Sequence, residues 1–567
     1  MNTEVRFVVA ILLMVAVLVV TNLLFPPTPP TPSEMGTLDT ITAPQSGPSL
    51  STGGTPTRVL GGPDPLSPVP ELLATPTDVR ERQVAVVGPL YRHVFSTHGA
   101  RLVSAELLAF PSFTRDGPVQ LIPEGGEGGE GGEGALGLRL VIGADTLDLR
   151  NLPFAPSREQ VTVGERGPER LTFRHQAPGL VVEVNYLFFP DSYLIEVTGS
   201  VRGLDRALLL TDLGSGLALN DADRKSEERA LAYVGNHLQD GVSSHPLSKV
   251  EGAIVHEGPF LWAAFKSKFF VLAMQPGADG VGPEQFGGIL AWPEGPNRTR
   301  IAVSEPIAGE GEFGYRAFIG PQEYARLTAL GGDLDEVNPY GWRFFRPVIR
   351  PLVGVITGLL VFMHDKLNLA HGWVLILFGV LMRVVLWPFN QKAMRAQMRN
   401  MAVQPMLKEI QTKYKDNPEK LQKEMMRLYK EYGFNPMAGC LPMLLPWPVL
   451  ISLFFVFQNT IEFRGASFLW LPDLSAPDPF FILPVFLGIS MFFLQWITMR
   501  YMPDPNPQMK MMMWLMPIMM VFIFFNLAAG LNLYYSVANV ATLPQQWWIG
   551  KERQKNQGRG PVKKSVT

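Results

Sequence analysis

Arg383 is a permanent charge set inside an apolar run, LILFGVLMRVVLWPFNQ (Leu375 to Gln391). His371 to Gln391 is long enough to cross a bilayer, which takes roughly 20 predominantly apolar residues. An arginine near the centre of such a helix costs about 2.5–3.5 kcal/mol on insertion scales. With the cytoplasmic end at Asn390-Gln391-Lys392, Arg383 lies about nine residues, roughly 13 Å, inside it. Two readings stand for this helix alone. The side chain snorkels to the interface or is structurally paired, or it faces a wet cavity. The later apolar runs, 439–460, 480–499, 511–527 and 530–549, hold no Asp, Glu, Lys, Arg or His. Proton relays and ion-coupled transporters need such groups. A lone cation instead suits a site that receives something acidic or polar for a short time.

A second feature lies on the last apolar run. Asn532, Tyr535, Asn539, Thr542 and Gln546 fall at i, i+3, i+7, i+10 and i+14, which puts them on one helical face. Such residues commonly make helix–helix hydrogen bonds. Five on one face, with an unpaired arginine on another span, fit a shared hydrophilic groove equally well.

The elements that must position these residues follow from patterning. The chain has 567 residues, 47% of them hydrophobic, with a formal net charge of −2, which gives more than one domain and no nucleic-acid signature. Its single cysteine, Cys440, excludes an intramolecular disulfide. Residues 1–25 end in an apolar run without a small-x-small cleavage site and read as an uncleaved transmembrane anchor. Residues 26–80, rich in Pro, Thr, Ser and Gly, read as a linker. Residues 81–330 hold short β-branched and aromatic runs such as VVEVNYLFF and SYLIEVTGSV, the pattern of an all-β sandwich. GGEGGEGGEG interrupts it as an exposed loop. Six of the eight histidines lie here without metal-ligand spacing, and no phosphate loop or nucleophile elbow is present. Neither a catalytic residue, a metal nor a cofactor is expected.

Residues 340–362 read as an amphipathic interfacial helix. Trp342, Phe345, Ile349 and Leu352 share one face, and Arg343, Arg346 and Arg350 a neighbouring one. Pro347 and Pro351 are expected to break or bend it. After the 371–391 span, residues 392–433 carry ten Lys/Arg and five Asp/Glu. They read as a cytoplasmic helical hairpin with Asn417-Pro418 starting its second arm. Its basic face suits plain solvation, anionic head groups or ribosomal RNA. Residues 437–550 hold four further spans and 551–567 a basic inner tail. The fold class is thus a multi-pass α-helical membrane protein, one anchor plus a five-helix core, with a large outer β-sandwich.

LMRVVLWPFNQKAM around Arg383, the stretch QPMLKEIQTKYKDNPEKLQKEMMRLYKEYGFNPMAGCLPMLLPWPVL, DLSAPDPFFILPVFLGISMFFLQ and GLNLYYSVANV together resemble the YidC family of bacterial membrane-protein insertases, over about 340–550. The anchor, β domain and five core spans resemble its Gram-negative form. The resemblance implies an inner-membrane protein with its β domain in the periplasm and its C-terminus in the cytoplasm. It implies a groove open to cytoplasm and lipid and closed toward the periplasm, with Arg383 inside and Tyr535 lining it. A nascent segment's polar flank would enter the groove while its hydrophobic part slides into lipid. Expected partners are nascent membrane proteins, the Sec translocon near the β domain and interfacial helix, the ribosome at the basic tail and hairpin, and membrane lipids. Three positions depart from family habit: Pro446 where glutamine is frequent, Gly379 for threonine and Ala538 for serine. They imply a less polar groove. Three alternatives stand beside this reading. A small-solute transporter lacks its internal repeat and coupling residues. An anchored periplasmic enzyme leaves five spans unexplained. An assembly scaffold without insertion activity fits the same sequence.

Overall fold

Residues Leu180–Phe188 alternate strictly, and Val182, Val184, Tyr186 and Phe188 turn inward while their neighbours face out. That two-residue period is the geometry of a pleated strand with one buried face. In the computed structural model this strand pairs antiparallel with Glu169–Ala177 and Leu194–Arg202. The structure describes residues 80–123, 134–204, 206–308, 311–338, 345–415, 417–432, 447–501 and 507–556. The expected anchor, almost all of the linker, the Gly/Glu loop, Trp342, Arg343, Cys440, Pro446 and most of the basic tail lie outside these residues.

Strands run from Gln83 to Pro321 in two sheets of five and fourteen. In the smaller sheet, Gln83–Val87 pairs parallel with Gln160–Thr162 and antiparallel with Tyr91–Ser96. The sheets pack face to face through rings. Phe95 of the small sheet lies 4.7 Å from Tyr186 and 6.1 Å from Phe173 of the large one, centroid to centroid. The Tyr186 hydroxyl donates to the Ala100 carbonyl at 2.8 Å. This is a β-sandwich. Two short helices, α1 (Arg224–Ala230) and α2 (Tyr324–Leu330), sit in its connections.

The helical part comprises α3 (Arg346–Leu367), α4 (His371–Lys413), α5 (Pro418–Tyr432), α6 (Trp447–Asn459), α7 (Ile482–Arg500), α8 (Pro507–Phe524) and α9 (Ala529–Asn556). Among the described residues, Arg346–Leu367, His371–Gln391 and Ile482–Arg500 are long and apolar enough to cross a membrane, and Pro448–Gln458 and Met513–Phe524 are shorter apolar helices.

Two elements differ from expectation in an instructive way. Neither proline interrupts α3, which is one helix of 22 residues. Pro347 is the second helical residue, where the backbone N–H has no intrahelical partner to lose, whereas Pro351 lies inside the helix, which continues through it with one ladder bond missing. The expected 371–391 span and the first arm of the expected hairpin form a single helix of 43 residues, α4. The second arm starts as its residues direct: Asn417 Oδ1 accepts from the Lys420 N–H at 3.1 Å, and Pro418 is the first helical residue.

Helices α3, α4, α6, α7 and α9 share a second apolar core, including Ile356, Phe378, Leu453, Phe457, Leu487 and Ala538. The exposed apolar side chains of these helices and of α8, Val384, Val385, Phe486, Ile489 and Phe522 among them, form a surface suited to lipid.

Candidate functional site

The site is built where α4 meets α9. Gly379 permits the approach: a Cβ placed there would lie 3.2 Å from Val537 Cγ1 and 3.6 Å from Tyr534 Cδ2. One turn further along α4, Arg383 is half-buried. Its electrostatic neighbours are Tyr534 and Tyr535 of α9, and no carboxylate among the described residues stands beside it. Phe378 packs on Tyr534 with ring centroids 5.7 Å apart, and Tyr535 packs edge-on to Phe524 at 5.2 Å. Both tyrosine rings are thus held by packing in the neighbourhood of the cation.

The depth of Arg383 follows from contacts between helices. Gln545 of α9 donates from Nε2 to the Trp387 carbonyl of α4 at 3.5 Å. Trp387 is thus level with the part of α9 around Gln545, close to which Trp547 and Trp548 are exposed and Lys551 lies 3.7 Å over the Trp547 ring. On α7, Arg500 lies 5.3 Å over the exposed ring of Trp496. Tryptophans beside cations mark the level of the head groups. Arg383, four residues from Trp387, lies about 6 Å along α4 from the level of these tryptophans.

The expected polar stripe divides. Tyr535 alone accompanies Arg383. Asn532 is fully buried and donates from Nδ2 to the Phe524 carbonyl at 3.1 Å, closing the end of α8. Its Oδ1 has no hydrogen-bond partner among the described residues. Asn539 donates to Ser490 Oγ of α7 at 3.1 Å, and Ser490 donates onward to the Leu487 carbonyl at 2.7 Å. Thr542 donates to the Ala538 carbonyl of its own helix at 2.6 Å. Half-buried Gln546 accepts from Thr498 Oγ1 at 3.5 Å. Three of the five positions, Asn532, Asn539 and Thr542, are thus occupied by packing.

Of the interfacial-helix residues, Phe345 is exposed and Arg346 half-buried. Arg350 turns to protein, with Nε and Nη2 donating to Asp335 at 3.0 Å, Nη1 to Glu336 at 2.7 Å and Nη2 to Asp333 at 2.9 Å. Its charge is spent on the acidic end of the β domain.

Sequence reasoning overlooked Tyr534, Ser490 and Ser536. Ser490 has a signal, the hydroxyl in the middle of LPVFLGISMFF. Ser536 is buried with its hydroxyl unpartnered among the described residues. No grouping of His, Cys, Asp and Glu fit to hold a metal occurs among those residues.

Two family descriptions match the chain: "60Kd inner membrane protein" over residues 362–557 and "YidC periplasmic domain" over 83–353. Membrane protein insertase YidC of Prosthecochloris aestuarii is 32% identical over 526 residues, covering 86% of this chain and 87% of that one. The protein of the same name from Oleidesulfovibrio alaskensis is 33% identical over 494 residues, 84% of this chain and 87% of its own. A crystal structure titled as active YidC insertase with its first transmembrane domain resolved is 17% identical. It covers 83% of this chain and 93% of its own, with a TM-score of 0.34.

Proposed function

The chain belongs to the YidC membrane-protein insertase family, and we propose that Arg383 and Tyr535 line the groove through which it passes the polar flank of an incoming membrane protein. The groove opens to the cytoplasm and to lipid and is closed on the periplasmic side. The observation that carries this reading is a half-buried guanidinium with two tyrosines and no carboxylate among its described neighbours. A charge held below the head-group belt without a counter-ion is costly, and an acidic or hydrated substrate flank offsets that cost while it is present. The groove shortens the hydrocarbon path the flank must cross. The hydrophobic part then leaves into lipid, where burial yields about 0.8 kcal/mol per CH₂. No nucleotide chemistry is required.

The partners follow from placement. Nascent membrane proteins are the substrates. The 392–433 hairpin and the tail from 551 onward are basic and suit the ribosome and anionic lipid. The Sec translocon is assigned to the β domain and to the helix beginning near Arg346. The periplasm is the place of the β domain, the cytoplasm that of the C-terminus, and residues 1–25 are the anchor.

The test compares Arg383→Ala and Arg383→Lys in proteoliposomes, with substrates whose translocated tails are acidic or neutral. Loss confined to acidic tails in Arg383→Ala, restored by Lys, supports the groove. Equal insertion of both tails by wild type and Arg383→Ala would falsify its electrostatic basis. A second reading, an assembly scaffold without insertion activity, is favoured by the occupation of Asn532, Asn539 and Thr542 in packing, and absence of insertion by wild type in the proteoliposomes would support it.

A further inference from the structure

The outer connection between α6 and α7 belongs to both cores of the molecule. Ile461 is buried in the core of the β-sandwich, while Phe463, Phe468, Leu471 and Leu474 are buried in the helical core. Between them Arg464 turns back into the β domain. Its Nε donates to Asp221 Oδ1 at 2.6 Å, Nη1 to the Pro111 carbonyl at 2.8 Å and Nη2 to the Asn220 carbonyl at 3.0 Å. The guanidinium lies 4.4 Å from the Phe113 ring and 5.2 Å from that of Phe270. Its side chain is 2% exposed and that of Asp221 8%.

The receiving loop is itself held. The Asn220 and Asp221 N–H groups donate to the Glu227 carboxylate at 2.9–3.0 Å, and Asn220 Nδ2 donates to the Gln120 carbonyl at 2.8 Å. A second tie joins Lys268 Nζ to the Ser475 carbonyl at 3.2 Å. The connection grips α7 in turn, because Asp478 accepts from the Phe480 N–H at 3.0 Å and the Leu483 N–H at 2.7 Å.

We propose that Arg464 is a positioning residue: through it the β-sandwich fixes the outer ends of α6 and α7, so that the β domain acts as a rigid brace on the outer closure of the membrane core. A surface ion pair would not do this, since exposed pairs contribute little and are screened. A planar fan of donors meeting three acceptors between two rings defines one orientation. The part of the proposal that concerns insertion rests on the groove reading above; the brace does not.

The test uses the full chain in nanodiscs with Cys440→Ser and spin labels at Gln176→Cys and Phe480→Cys, both exposed positions, the second just before α7. In the parent the distance distribution between labels is narrow. Arg464→Gln widens it, and Arg464→Lys widens it too, because an ammonium cannot reach all three acceptors. Asp221→Asn, which keeps shape and removes charge, gives the reading if Arg464→Gln fails to fold. Insertion of a hydrophilic-tailed substrate falls by roughly threefold or more in the same variants, as changes along a coupling path do. A distribution as narrow as the parent's in these variants overturns the brace. A widened distribution with unchanged insertion overturns the positioning role. Full loss of the groove function in Arg383→Ala with a narrow distribution leaves the brace standing, which separates the two readings.

Discussion

Asn539 of α9 and Ser490 of α7 are both buried and joined by one hydrogen bond of 3.1 Å. This bond binds two spans and takes Asn539 out of the polar face available to a substrate. Polar pairs between membrane helices average about 0.6 kcal/mol, up to about 1.7, in double-mutant cycles. Asn539→Ala and Ser490→Ala are each expected to lower the midpoint of thermal unfolding in detergent. The double variant should fall by less than the sum, and full additivity would mean that the pair is not coupled.

Gly379 is the close-packing point between α4 and α9, with a hypothetical Cβ 3.2 Å from Val537. The threonine implied by the resemblance would have to displace Val537. Overpacking of this kind costs roughly 1–3 kcal/mol. Gly379→Thr should therefore destabilise the protein, and adding Val537→Ala should recover most of the loss. A Gly379→Thr variant as stable as wild type would show that the helices separate here at no cost.

Arg350 serves three carboxylates, Asp333, Asp335 and Glu336. Asp335 is buried, and leaving it without its cation costs more than the pair is worth. Arg350→Gln should destabilise the junction between β domain and α3, read as faster hydrogen exchange over 333–338. A lysine should restore only part of the protection, having no planar fork.

The β domain carries a pH signature. Glu305 is buried, neither oxygen has a partner among the described residues, and burial pushes its carboxyl up from 4.5 to about 8. The folded state then holds a proton that the unfolded state has released, so stability falls as pH rises across that interval. His93, pushed down by burial from 6.5 to about 3, has the opposite effect below pH 6.5, because its unfolded form takes up a proton that the folded form refuses. Glu227, raised by burial to about 7, acts with the same sign as Glu305, so the Glu305 effect should stand clear between about pH 7 and 8. Hydrogen-exchange protection in the strand Arg298–Ala308 should drop over this window and become flat in Glu305→Gln. Unchanged slopes in the two proteins would mean that the carboxyl is neutralised by another route.

What was legible in the chain was local. The alternation of Leu180–Phe188 gives its inward set directly, Asn417-Pro418 starts a helix by capping chemistry, and the spacing from Asn532 to Gln546 places five polar groups on one face. Their destinations were not legible, because a polar side chain on a helix takes whichever partner the neighbouring element supplies. Asn539 meets Ser490, Asn532 meets the end of α8, and Tyr535 packs edge-on to Phe524 in the neighbourhood of Arg383. Arg464 and Asp221, 243 residues apart, lie far beyond any local pattern. The prolines of α3 misled for a different reason: a break was expected from residue type, whereas Pro347 sits where the helix has no donor to lose and Pro351 removes a single bond from a helix of 22 residues.

The central claim is that a substrate's flank occupies the space beside Arg383 and Tyr535 while it is being inserted. The measurement that tests it most directly is photo-crosslinking from Tyr535 to a ribosome-bound nascent chain of increasing length. Phe522, exposed on α8, serves as the lipid-facing control. The account predicts a crosslink at Tyr535 that appears at intermediate lengths and disappears once the hydrophobic segment has left. Absence of a Tyr535 crosslink at every length, with insertion proceeding, would contradict it.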